Sequence, residues 1–133
     1  NVSADVQLCD TVRTAITTAI MDPSVLTNTS AKIPAFGSVI EMKNVTSAEY
    51  PVFYDSMKET LGYEPKDVAG YLKSSAKTNS GEVKFKIDKD TNAVCVWVTG
   101  SDMSGKKGKY DSPSTSSDSA IYAGDASVAA ASE

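Results

Sequence analysis

The sequence predicts an α+β fold, an N-terminal amphipathic helix packed on an antiparallel β-sheet, and three stretches carry that prediction. "NVSADVQLCDTVRTAITTAIMDP" repeats apolar residues at helical spacing, and "EVKFKID" alternates apolar with charged residues as a half-buried strand does. "AVCVWVTG" is apolar at every second position and between, as expected of a strand covered on both faces. The turn chemistry of "KDTN" separates the last two and makes them a β-hairpin. With 133 residues, 41% of them hydrophobic, the chain is expected to form one domain with its own core.

In the opening helix Val2, Val6, Cys9, Arg13, Ile16 and Ile20 recur at steps of three and four, and Leu8, Val12, Ala15 and Ala19 widen the stripe. The core face is therefore read as Val6, Cys9, Val12, Ile16 and Ile20, with Asp5, Asp10, Thr14 and Thr18 turned to solvent. Asp22-Pro23 stops the helix, because the proline ring disfavours the helical conformation in the residue before it. The start carries a weaker signal. Ser3 can cap, but apolar residues already stand behind it. The bland reading is an ordinary first helix, and the sharper one is a chain cut inside a longer helix.

Residues 1–22 thus form a helical stem, and 23–45 form a connecting loop rich in Pro, Gly and hydroxyls. Within it "SVIEMKNV" reads as a short strand or extended lead-in, with Val39 or Ile40, Met42 and Val45 for burial. Residues 46–76 hold short extra helices. Thr46 and Glu49 have capping-box spacing, Pro51 suits a first turn, Phe53, Met57 and Leu61 share a face, and Gly62 closes it. Pro65 opens a second helical stretch with Val68 and Leu72 on one side. The hairpin spans 82–100, with Val83, Phe85, Ile87 and Trp97 as the sheet's contribution to the core. Residues 101–133 are a polar, Ser/Ala-rich C-terminal region in which Ile121 and Tyr122 are placed as an added edge strand.

Charge and composition exclude several functions. The net charge of −4 supplies no basic patch for nucleic acid. There is no histidine, which removes Ser-His-Asp and Cys-His catalysis and the commonest metal ligand. Cys9 and Cys95 lack CxxC spacing, so they are either a disulfide or two buried thiols acting as small hydrophobes. Asp88, Asp90 and Asn92 match the first oxygen positions of an EF-hand loop, but Ala93 stands where its glycine is needed, so a hairpin turn is the reading. Lys106, Lys107 and Lys109 form a solvated basic loop, and Asn28 and Asn44 head N-glycosylation patterns. Asp111, Asp118 and Asp125 have no acid/base partner, and no glycine-rich phosphate loop occurs. No catalytic residue, cofactor site or metal site is assigned, and no stretch reaches the roughly 18 apolar residues of a membrane span.

"VSADVQLCDTVRTAITTAIMDP", followed by a linker, "TLGYEPKDV" leading to "YLKSS", and the strand pair around "VKFKI" and "VCVWV", resembles the soluble part of a type IV pilin or pseudopilin. The likeness is closest to pilin-like proteins of Gram-positive gut bacteria. It covers residues 2 to 100 in order of elements. The family's glycine–phenylalanine cleavage motif is not in this chain, and the cysteines differ from the C-terminal disulfide loop of Gram-negative pilins. The resemblance implies a structural subunit of a cell-surface filament, not an enzyme. A hydrophobic half-helix ahead of residue 2 would anchor it in the inner or cytoplasmic membrane, then pack with copies of itself or related pilins in the filament core. Residues 24–45 and 101–133 would make subunit contacts or face outward. The host surface it would meet is unknown, and adhesion, surface motility and DNA uptake are roles of the family. The alternatives are a pseudopilin of a secretion or competence system and a secreted binding module. A sortase-type pilin is disfavoured because "VAAASE" carries no LPxTG-like signal.

Overall fold

The first helix lies across a four-stranded antiparallel sheet. The computed structural model describes residues 2–27, 33–73, 75–78, 80–99, 121–124 and 128. Helix α1 (Val2–Met21) ends where expected, and Asp22 then caps a single helical turn, α2 (Pro23–Leu26), by accepting from the Ser24 N–H at 2.9 Å. Strand β1 (Val39–Glu41) leads into a 3₁₀ turn at Met42–Asn44, so the segment 23–45 is not simply a connecting loop. Helix α3 (Pro51–Leu61) starts on its proline and closes on Gly62, whose φ of 86° brings its N–H to the Lys58 carbonyl at 2.8 Å. A 3₁₀ helix at Pro65–Tyr71 and the turn α4 (Ser75–Thr78) precede strands β2 (Val83–Ile87) and β3 (Val94–Val98). Strand β4 (Tyr122–Ala123) supplies the edge expected at Ile121 and Tyr122.

Strand order is β1-β2-β3-β4, and every neighbouring pair is antiparallel. Asp88 makes the hairpin turn: its carboxylate accepts from the Thr91 N–H at 2.7 Å, the Thr91 hydroxyl at 2.8 Å and the Asp90 N–H at 3.2 Å. These donors hold its carboxyl below the ordinary carboxylate range. Asn92 takes the left-handed conformation that completes the turn, with φ of 62°. The EF-hand-like spacing is therefore turn chemistry, with the first carboxylate already occupied by its own loop.

Pleating decides which residues meet the helix. Val83, Phe85 and Ile87 pair with Val98, Val96 and Val94, and all six join one core with Cys9, Val12, Ala15, Ile16, Ala19 and Ile20 of α1. Trp97 does not belong to it. It pairs with Lys84 on the opposite face and, with Cys95 and Val128, forms a second small cluster. Grouping Trp97 with Val83, Phe85 and Ile87 is thus corrected by the two-residue period of the strand: odd and even positions of β3 face different sides. Lys86, paired with Cys95, is buried on that second side. Met42 and Val45 are buried as expected, and of the alternatives Val39 and Ile40 it is Ile40 that packs half-buried on the core while Val39 is exposed.

The helix face needs a second correction. Val6, expected in the core, is 36% exposed, and Asp5, expected in solvent, is fully buried. The buried stripe runs Asp5, Cys9, Val12, Ile16, Ala19, with steps of four, three, four and three. Residues 5 and 6 both neighbour residue 9 on a helix, and the deciding contact is the Lys73 N–H, which donates to the Asp5 carboxylate at 2.7 Å. The Lys106 cluster, the Asn28 pattern, Asp111, Asp118, Asp125 and most of 101–133 lie outside the described residues.

Ile16→Ala is expected to cost ~2–5 kcal/mol in denaturant melts, because the site is fully buried and leaves a cavity. Val6→Ala should stay within about 0.5 kcal/mol. Equal losses at the two sites would overturn this account of the helix face. Gly124 provides a separate check. Its φ is 101°, and a Cβ there would collide with the Val94 carbonyl oxygen. Gly124→Ala should destabilise by at least about 1–3 kcal/mol, and a neutral result would show that β4 does not sit against β3 this way.

Candidate functional site

The two cysteines settle into different surroundings. Cys9 points from α1 toward the strands, with its thiol 4.0 Å from the Ile121 carbonyl oxygen, and Cys95 faces the other side of β3 with Trp97. Both are buried and not joined to each other, so of the two readings open in the sequence the disulfide is the one the structure does not form. Burial raises the Cys9 thiol pKa, with the Asp5 charge adding to it, and the group stays protonated at neutral pH. A protonated, enclosed thiol is a small hydrophobe rather than a nucleophile.

The helix stem presents a polar outer side. Asp10 and Thr14 are exposed, and Arg13 pairs with Asp10 at 3.3 Å on the surface. Such an exposed pair contributes about 0.2–1 kcal/mol, against about 1.5–3 for burying each large apolar side chain of the stripe. Burial, not charge, holds α1 in place. Met21, 72% exposed at the helix end, is the most open large apolar residue among the described side chains of the stem.

A groove lies away from the stem, where four separate segments converge. Its floor is Met42, Val68 and Val83, all buried, and its volume is about 420 Å³. Lys43, Lys66 and Lys77 stand around it with Glu82. Lys43 pairs with Glu82 and, at 3.6 Å, with Glu41, which lowers the Glu82 pKa and raises that of Lys43. Neither Lys66 nor Lys77 has an ion pair among the described residues, so the groove is locally net positive on a chain of net charge −4. No motif announced it. The lysines come from a 3₁₀ turn, a 3₁₀ helix and α4, and only folding brings them around one apolar floor.

One wall of the groove is the 3₁₀ helix Pro65–Tyr71, and it is fixed at both ends. Before it, the Tyr54 hydroxyl of α3 donates to the Glu64 carboxylate at 2.6 Å. Within it, Tyr71 stacks on Tyr63 with ring centroids 4.2 Å apart, leaving Tyr71 half-exposed. A second, more polar cleft is lined by Asn44, Thr46, Glu49 and Tyr50. Here Thr46 accepts from the Glu49 N–H at 3.3 Å, so the capping-box spacing makes a turn one step before α3 rather than its cap. Asn44, head of the second glycosylation pattern, is exposed on the 3₁₀ turn. Among the described residues, no group of three His, Cys, Asp or Glu is arranged to hold a metal ion, and no helix is long and apolar enough to cross a membrane.

The Tyr54–Glu64 bond ties stability to pH in two windows. The hydrogen bond to Glu64 raises Tyr54 to about 12 and lowers Glu64. The raised phenol contributes stability that is present below about 10, its ordinary value, and lost as pH climbs toward about 12. The lowered carboxyl contributes stability that is present above about 4.3 and lost as pH falls through its depressed folded value. Phenolate absorbance titration of the wild type against Tyr54→Phe should therefore remove one tyrosine that ionises late. If the missing transition lies near 10 instead, the bond does not form in solution. The chain matches no protein-family model, no curated protein and no solved structure.

Proposed function

We propose that this chain is the soluble domain of a structural subunit of an extracellular filament of the type IV pilus kind, with its adhesive or motility role exerted at the cell surface. The observation that carries the reading is α1: a 20-residue amphipathic helix laid along an antiparallel sheet, its buried stripe facing β3 and β4 and its other side polar. A stem held this way transmits force between its two ends, because its attachment runs from Asp5 to Ile20, about four helical turns. Helix α3 packs on the stem, while none of the groove's lining residues comes from it. The step from architecture to role is one of fold analogy, supported by the sequence resemblance of "VSADVQLCDTVRTAITTAIMDP" and the hairpin to pilins.

The reading requires a hydrophobic extension of α1 ahead of Val2, which would sit in the membrane before assembly and bury apolar area between copies afterwards. The experiment is direct. Surface structures are sheared from cells of the source organism, the mature N-terminus of the protein is sequenced, and filaments are labelled with an antibody to this domain. Labelled filaments whose subunit begins with an apolar segment running into α1 are the expected result. A freely secreted monomer released by an ordinary signal peptidase would sink it. That second outcome would favour a secreted binding module, for which the groove is the supporting observation, since about 300–1,000 Å³ is the usual range of ligand pockets.

A further inference from the structure

We propose that the lysine-flanked groove receives the acidic ridge of α3 from a second copy of this chain. The inference rests on the filament reading for its setting and names a contact within it. The groove offers Lys66 and Lys77, exposed and without ion pairs among the described residues, in its lining together with the apolar Met42, Val68 and Val83. Lys43 is different, because Glu82 and Glu41 already hold its charge. Among the described residues, then, two exposed lysines have no ion pair, Lys66 acting on Glu64 only through its field. They stand on a chain whose overall charge is −4 and whose copies repel one another on average.

The complementary surface is on the same chain. Asp55 and Glu59 are four residues apart on α3, both exposed, and neither is in an ion pair among the described residues. That spacing places two carboxylates side by side on one helix face. The inward face of α3, Phe53 and Met57, is already buried in the core, so the acidic face is the one available to a neighbour. Lys58 lies beside the ridge and leaves it net negative. Neither ridge nor groove complements itself, since one carries two like negative charges and the other two like positive ones. A contact between them is heterologous: each copy engaged by its groove still offers its ridge. Repetition of such a contact gives an open chain of subunits rather than a closed dimer.

The test is zero-length carbodiimide cross-linking, which joins only an amine and a carboxylate already in contact. It is run on sheared filaments from cells grown partly on heavy isotope, so that links between copies are distinguished by mass. A mixed light–heavy peptide joining Lys66 or Lys77 to Asp55 or Glu59 is expected. The double variant K66E/K77E should lower filament yield at least about tenfold through like-charge apposition, with the melting temperature of the soluble domain unchanged, and adding D55K/E59K should restore it. Wild-type filaments without the mixed link, or K66E/K77E filaments at full yield, would overturn the contact and leave the filament reading standing. If wild-type cells make no filaments, that reading fails. The same cross-link on the concentrated soluble chain then decides the contact, and its absence there overturns it.

Discussion

The whole arrangement depends on one packing interaction, the burial of the α1 stripe against the inner face of β3 and β4, with β2 completing the same core. Cys9, Val12, Ala15, Ile16 and Ala19 on the helix are all fully enclosed, and Val96 and Val98 on the sheet are as well. At about 1.5–3 kcal/mol for each large apolar side chain, this interface outweighs every surface ion pair the stem makes. The other elements are placed by it. Helix α3 packs against the far flank of α1 and stacks Phe53 over Phe85, with ring centroids 6.3 Å apart, which closes the core from the side. The edge strand β4 is held against β3 beneath the stem, where Gly124 allows a backbone approach that a Cβ would block.

Two polar links then orient what burial alone leaves free. Asp5 reaches from the first turn of α1 to the Lys73 N–H, joining the stem to the end of the 3₁₀ helix. Tyr54 reaches from α3 to Glu64 at its beginning. The 3₁₀ helix buries Pro65, Val68 and, at its C-cap, Leu72, and it packs on the Met42–Asn44 turn. These two bonds tie the chain on either side of it to α1 and α3, which fixes the wall that carries Lys66. The groove is thus downstream of the core in the causal order. Hydrophobic burial seats the stem and α3, hydrogen bonds attach the 3₁₀ helix to both, and the lysines follow their backbone.

A stem stabilised mainly by burial and a surface patterned by charge suit different tasks. Packing is insensitive to salt and gives the stem its rigidity, whereas the exposed lysines and the Asp55–Glu59 ridge act at short range and weaken as ionic strength rises. Interactions of the second kind choose partners and register more than they add affinity.

Much of the fold was legible in local pattern. The helical period of 2–21, the alternation of 83–87, the Asp/Asn turn at 88–92 and the left-handed Gly62 stop are properties of neighbouring residues, and each appears where the sequence places it. By itself, then, the sequence determined the element types, the antiparallel hairpin and the helix resting on it, because backbone geometry converts spacing directly into a face. Only tertiary structure decided the rest. Whether residue 5 or residue 6 turns inward depended on the Lys73 N–H, which is 68 positions away from Asp5. Trp97 and Cys95 took the far side of the sheet because the pleat had already committed Val94, Val96 and Val98 to α1, which also parted the two cysteines. The groove had no local signature at all. Its lysines are separated along the chain, and a surface made by converging backbones exists only once those backbones have been packed together.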